Sequence, residues 1–208
     1  MFTRIGGFFT EASLWIFRMM QLNLTWLIHI VLGGVITGFF PATVALFSIT
    51  RSWVKGDIDE PVWTSFHRCF KNNFMKSNAL GAVYAAVGGF IYLDLYLALQ
   101  MKGAVGLFLT ILLIVVAALF ILSLLTFFAY YVHFEQTYKA YLIQPFILTF
   151  ISFRQNLLIV IGLTLIGYLL KEMPGLIPFA AGVMPAYWIM KVSMNRYRQL
   201  KIEMEAVT

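Results

Sequence analysis

Charge is what this sequence has least of. Asp, Glu, Lys and Arg make up 12% of its 208 residues, about half the share in an ordinary soluble domain, while 61% are hydrophobic. With a mean hydropathy of +0.85 in 23.7 kDa, there is more apolar side chain than a water-soluble globule can hide. An all-α, polytopic transmembrane bundle is the expected fold, because helices satisfy their own backbone groups in lipid. Cysteine is nearly missing as well. Cys69 stands alone, which excludes an intrachain disulfide and a multi-cysteine metal site. The GxxxxGKS/T phosphate loop, HExxH, GxSxG and a carboxylate cluster for a metal are also absent. The chain therefore reads as non-enzymatic, with no metal and no cofactor.

Fifteen Lys and Arg against nine acidic residues give a net charge of +6. The basic residues are scattered and no DNA- or RNA-binding module surrounds them, so nucleic acid is not the expected partner. Retention of Lys and Arg on the cytoplasmic side of a multi-pass protein accounts for the excess. The N-terminus holds Glu11 and Arg18 inside its apolar stretch and has no small-residue cleavage site; it is not expected to be a cleaved signal peptide.

Five apolar runs are candidate spans of a single membrane domain over 1–208: 22–50, 79–99, 104–131, 157–170 and 175–190. The first would extend about 43 Å as a helix, more than the roughly 30 Å hydrocarbon core, and Pro41 near its middle is the expected kink. The last two are short and must borrow flanking residues or thin the bilayer. Five spans sort the loops into two groups with 11 and 4 basic residues, Arg4 and Arg18 falling in the smaller. The positive-inside rule then places the N-terminus outside and the C-terminus in the cytoplasm. A sixth span made from the N-terminal segment would change that count.

Three segments look amphipathic. Residues 1–21 include Ile5, Phe8, Phe9, Ala12, Ile16, Met19 and Met20 on one helical arc, expected to lie along the membrane surface. Residues 144–153 form a second interfacial stretch. In the first cytoplasmic loop, Asp57, Asp59 and Glu60 precede Pro61, an arrangement suited to a helix start, and a loop helix over 61–77 follows. Its Trp63, Phe66, Phe70 and Phe74 recur at spacings of 3, 4 and 4. Two readings of that stripe stand: packing on lipid or on the bundle, and docking against a partner subunit.

Polar groups inside spans are few. His29, two turns into the first run, suits a hydrogen-bonding core residue or a ligand. Asp94, near the end of the second, suits a solvated position at the headgroups or a proton or cation site. His133 and Glu135 do not by themselves make a metal site. Small residues recur at helix-packing spacing, Gly34 and Gly38 in the first run and Gly81, Ala85 and Gly89 in the second. Asn23-Leu24-Thr25 matches the short glycosylation pattern.

Asn23-Leu24-Thr25-Trp26, Gly38-Phe39-Phe40-Pro41-Ala42-Thr43, Arg51-Ser52-Trp53 and Phe66 through Lys71-Asn72-Asn73-Phe74 together resemble the YesL-like family of small bacterial integral membrane proteins, a domain-of-unknown-function family. The resemblance implies a multi-pass protein of the bacterial plasma membrane. Because such proteins are often encoded beside carbohydrate ABC importers, it also implies association with permease subunits; it assigns no catalytic or ligand-binding residue. In the motif itself, Pro41 removes a helical hydrogen bond that Thr43 is placed to compensate, Gly38 permits close approach, and Arg51 with Trp53 would anchor the helix at the headgroups. A substrate site at a helix broken there is the alternative. The expected function is a non-catalytic accessory or regulatory subunit of a carbohydrate ABC importer. The alternative is a small oligomeric channel or secondary transporter built around Asp94, His29 and the Pro41 kink.

Overall fold

The structure, a computed structural model, describes the backbone of residues 2–205 and the side chains of residues 10, 11 and 13–199. Its elements are α1 (Phe2–Leu32), α2 (Ile36–Lys55), α3 (Val62–Gln100), α4 (Ala104–His133), α5 (Tyr138–Ile151), α6 (Phe153–Glu172), a 3₁₀ turn (Pro174–Leu176), α7 (Ile177–Ala180) and α8 (Val183–Glu205). Among the described residues, four stretches are long and apolar enough to cross a membrane: Ser13–Leu32 of α1, then α3, α4 and α6. Pro174–Ala180 with Val183–Gln199, bent by 61°, makes a fifth as a broken span. The chain is an all-α membrane protein.

The expected first span over 22–50 is two helices, and the break is not at Pro41. Pro41 sits inside α2, whereas the chain reverses at Gly33-Gly34-Val35. Gly34 has φ 84 and Val35 φ 56, ψ −70. The Ile36 amide donates to Gly34 O (2.7 Å), closing a γ-turn in a backbone region that a β-branched residue rarely enters. α2 then runs back along α1. Trp26 Nε1–H donates to Thr43 Oγ1 (3.3 Å) halfway along the hairpin, and Trp15 packs edge-on to Trp53 (5.7 Å) at its far end. At the turn the two backbones nearly touch: a side chain on Gly38 would strike Ile30 O and Gly33 Cα.

This hairpin overturns the expected sidedness of the N-terminus. Arg18 pairs with Asp59 of the α2–α3 loop (3.6 Å), so the start of α1 lies at the same end as that loop and not opposite it. Counting Arg4 and Arg18 with the larger group turns 11 against 4 into 13 against 2, leaving only Lys102 and Lys171 at the other end. The N-terminal segment is also not a separate surface helix: α1 is continuous from Phe2 to Leu32. Most of the side chains that would define its apolar arc, Ile5, Phe8, Phe9 and Ala12, lie outside those described.

α2 falls short of the hydropathy of the spans because protein covers it, with no need for a lipid-facing surface. Its buried residues include Gly38, Ala42, Thr43, Ala45 and Thr50, small enough for α1, α3, α4 and α8 to close around it. The expected loop helix 61–77 and second span 79–99 are one 39-residue helix, α3. Nothing in Lys76-Ser77-Asn78 breaks a helix; its polarity alone resembled a loop. Residues 144–153 are divided between α5 and α6 by Ser152, whose φ of −107 and ψ of 45 end one helix and start the next.

Asn23 ties the break before α8 to α1. Its side chain is fully buried, its Oδ1 accepting from the Gly182 and Val183 amides (2.8 and 3.2 Å) while Nδ2 donates to Pro178 O (2.7 Å). One amide side chain thus caps α8 and satisfies a carbonyl left over by the bend, groups that otherwise lack partners in a membrane. That burial also rules out Asn23 as a glycosylation acceptor. The indole of Trp26 covers Gly182, where a Cβ would collide with the ring.

Candidate functional site

The residues expected to form sites separate into three places. His29 is a core residue. Its Nδ1 lies 2.8 Å from Thr25 O, so that nitrogen carries the proton, and Nε2 accepts from His67 Nδ1 (3.1 Å). Around its ring stand Trp63, Phe66 and Phe70, with centroids 4.8 to 5.2 Å away. The aromatic stripe is therefore turned inward: Phe66 and Phe70 are buried and Phe74 packs on Phe70, which leaves only Trp63, 48% exposed, on the surface. As a docking face the stripe is largely unavailable; α1 occupies it. His67 was not foreseen, since its pairing with His29 spans 38 residues.

Asp94 is half-buried on α3, six residues before the helix ends. It does not converge with His29, and no group of three His, Cys, Asp or Glu that could hold a metal exists among the described residues. The Gly38–Pro41–Thr43 part of the motif is packing. Thr43 Oγ1 donates to Phe39 O (2.7 Å), not to Thr37 O, the carbonyl that Pro41 leaves free. Trp53 is buried against Trp15 instead of reaching headgroups.

Arg51, the remaining member of the motif, leads to the site. α2, α3, α4 and the α4–α5 loop enclose a cavity of about 630 Å³ lined by Arg51, Cys69, Asn73, Lys76, Tyr131, His133, Glu135, Gln136, Thr137 and Tyr141, among others. Arg51 Nε–H donates to His133 Nδ1 (3.5 Å), so the imidazole accepts there and holds its proton on Nε2. Lys76 Nζ stands over three tyrosine rings, 4.5 Å from the centroid of Tyr141, 5.4 Å from Tyr131 and 5.9 Å from Tyr138. Tyr131 O–H donates to Asn73 Oδ1 (2.9 Å) and Tyr141 O–H to Phe134 O (2.7 Å), fixing both rings. A second polar cavity of about 290 Å³ shares Ser48, Cys69 and Asn73 with the first and continues past Arg68 toward the α2–α3 loop.

Neither Arg51 nor Lys76 has a carboxylate within 4.0 Å among the described residues. The site is thus two cations and a fence of hydroxyl and amide groups at the cationic end of the bundle. Lys76, Tyr131 and Tyr141 were not singled out in the sequence. The cluster Tyr130-Tyr131…Tyr138…Tyr141 was the available signal, but its cation lies on another helix.

Residues 19–95, which hold Asn23, Arg51 and Lys76, match the family described as "Protein of unknown function, DUF624". The chain is 33% identical over 179 residues to the uncharacterized protein YteU of Bacillus subtilis (strain 168), covering 86% of this chain and 80% of that one. It is 27% identical over 186 residues to YesL of the same organism (89% and 88%) and 29% over 158 residues to YesV (76% of each). The chain belongs to this YesL-like family. No solved structure matches it.

Proposed function

We propose that the chain is a non-catalytic accessory or regulatory subunit of a larger assembly in the bacterial plasma membrane, and that its partner is the permease of a carbohydrate ABC importer. The observation that carries the first part is a bare face of small residues on α3. Gly81 is covered by the Phe40 ring, but Ala82, Ala85, Ala86 and Gly89 are exposed, and a Cβ at Gly89 would meet nothing within 4 Å. In a bilayer such a face lets a second helix approach to backbone contact, where lipid offers no comparable packing. The identity of the partner rests on the family resemblance. For the channel reading, His29 is enclosed by rings and Asp94 stands apart on α3, so no observation favours it.

Mild-detergent purification of tagged protein from its own host, with the co-eluting chains identified by mass spectrometry, tests this. Permease chains are expected in stoichiometric yield with the wild type and lost with Gly89→Leu, whose fold should be unaffected because the added side chain enters open space. A homo-oligomer alone, or co-elution indifferent to Gly89→Leu, contradicts the reading.

A further inference from the structure

We propose that the cavity between α2, α3 and α4 binds a phosphate group, as a phosphomonoester or phosphodiester, held by Arg51 and Lys76. This goes beyond the accessory-subunit reading and does not depend on it. A cation taken partly out of water is unfavourable unless something of opposite charge attends it. Here two face one cavity without an ion pair, and Lys55, one turn beyond Arg51, adds a third positive charge nearby. The wall contains one carboxylate, Glu135, which lies beyond 4.0 Å of both cations.

The arrangement suits a tetrahedral, many-oxygen anion better than a single carboxylate. Arg51 uses its Nε–H on His133, and its terminal nitrogens make no hydrogen bond with a described residue. Lys76 contributes a point charge that the rings of Tyr131 and Tyr141 position without consuming its N–H donors. Guanidinium fork and ammonium, with the Nε2–H of His133 and the side chains of Gln136 and Thr137 on the same wall, supply donors for the oxygens of a phosphate, while the Tyr131 and Tyr141 hydroxyls stay committed to Asn73 and Phe134. At about 630 Å³ the cavity has room for a headgroup or a small phosphorylated solute beside the phosphate. Both sources share that chemistry, the anionic phospholipid of the surrounding leaflet and a soluble phosphate ester of the cytoplasm.

Full-length protein in neutral detergent distinguishes them. Native mass spectrometry follows retention of phosphatidylglycerol against phosphate-free diacylglycerol, and calorimetric titration follows glycerol 1-phosphate and inorganic phosphate. Binding in either arm is expected, weakened about tenfold or more by Arg51→Gln and by Lys76→Gln, since each removes a charge-assisted contact. Lys171→Gln, at the other end of the molecule, should leave it unchanged. Retention of phosphatidylglycerol alone assigns the lipid source, and binding of glycerol 1-phosphate alone the soluble one. Should Arg51→Gln not fold, Lys76→Gln and the charge-keeping Arg51→Lys decide. The proposal is overturned if no phosphate probe binds at millimolar concentration, or if binding is indifferent to both charge removals.

Discussion

Asn23→Leu is expected to destabilise the bundle by roughly 3 kcal/mol or more, the largest effect of any single side chain considered. The leucine keeps the volume but leaves the Gly182 and Val183 amides and the Pro178 carbonyl without their partner. Each buried backbone group left unsatisfied costs about 1–3 kcal/mol, and no water in the membrane replaces the amide. Asn23→Asp separates the roles: the carboxylate still accepts at the start of α8, where the helix dipole favours it, but cannot donate to Pro178. It should therefore lose less than the leucine variant. Unfolding midpoints in detergent measure both, and the bend before α8 should become sensitive to protease in Asn23→Leu. A wild-type midpoint for Asn23→Leu would mean that the side chain does not hold the bend.

Gly38→Val acts at a different contact of α1, the turn where it meets α2. A Cβ at this position meets the Ile30 carbonyl and the Gly33 Cα, backbone atoms that cannot rotate away. The hairpin must open, and with it the seat of Phe70 and His29 beside Gly33. Overpacking of this kind costs about 1–3 kcal/mol and more when backbone is the obstacle. Gly89→Val is the control, since its Cβ enters open space and should change stability by no more than about 0.5 kcal/mol. The expected result is a large fall in the unfolding midpoint for Gly38→Val and none for Gly89→Val. Equal midpoints would contradict the close approach of α1 and α2.

Hydropathy located α4, α6 and the second half of α3 well because lipid demands apolar surface from each of them. It merged α1 with α2 for a related reason. The Gly33-Gly34 turn lies within a continuous apolar run, and Pro41 was the more conspicuous breaker, although α2 continues through it with the loss of a single hydrogen bond, to Thr37 O. α2 itself needs little hydropathy, being wrapped by other helices. The period of Trp63, Phe66, Phe70 and Phe74 correctly indicated a helix and one face, but period carries no information about what covers that face. The cavity was legible only as its parts. Arg51 belonged to a motif, His133 was weighed only beside Glu135, and Lys76 drew no reading of its own; their convergence depends on how α2, α3 and α4 cross, which no one-dimensional pattern contains.

The α1–α2 hairpin is the claim on which sidedness, the cavity and the family motif all rest, and cysteine labelling in intact cells tests it most directly. In a Cys69→Ser background, a membrane-impermeant maleimide is applied to Glu11→Cys, Asp57→Cys, Lys102→Cys and Lys171→Cys, before and after permeabilisation. The hairpin predicts that positions 102 and 171 label from outside, whereas 11 and 57 label together and only once the membrane is opened. Labelling of position 11 from outside with 57 still protected would place one crossing between them, and contradict it.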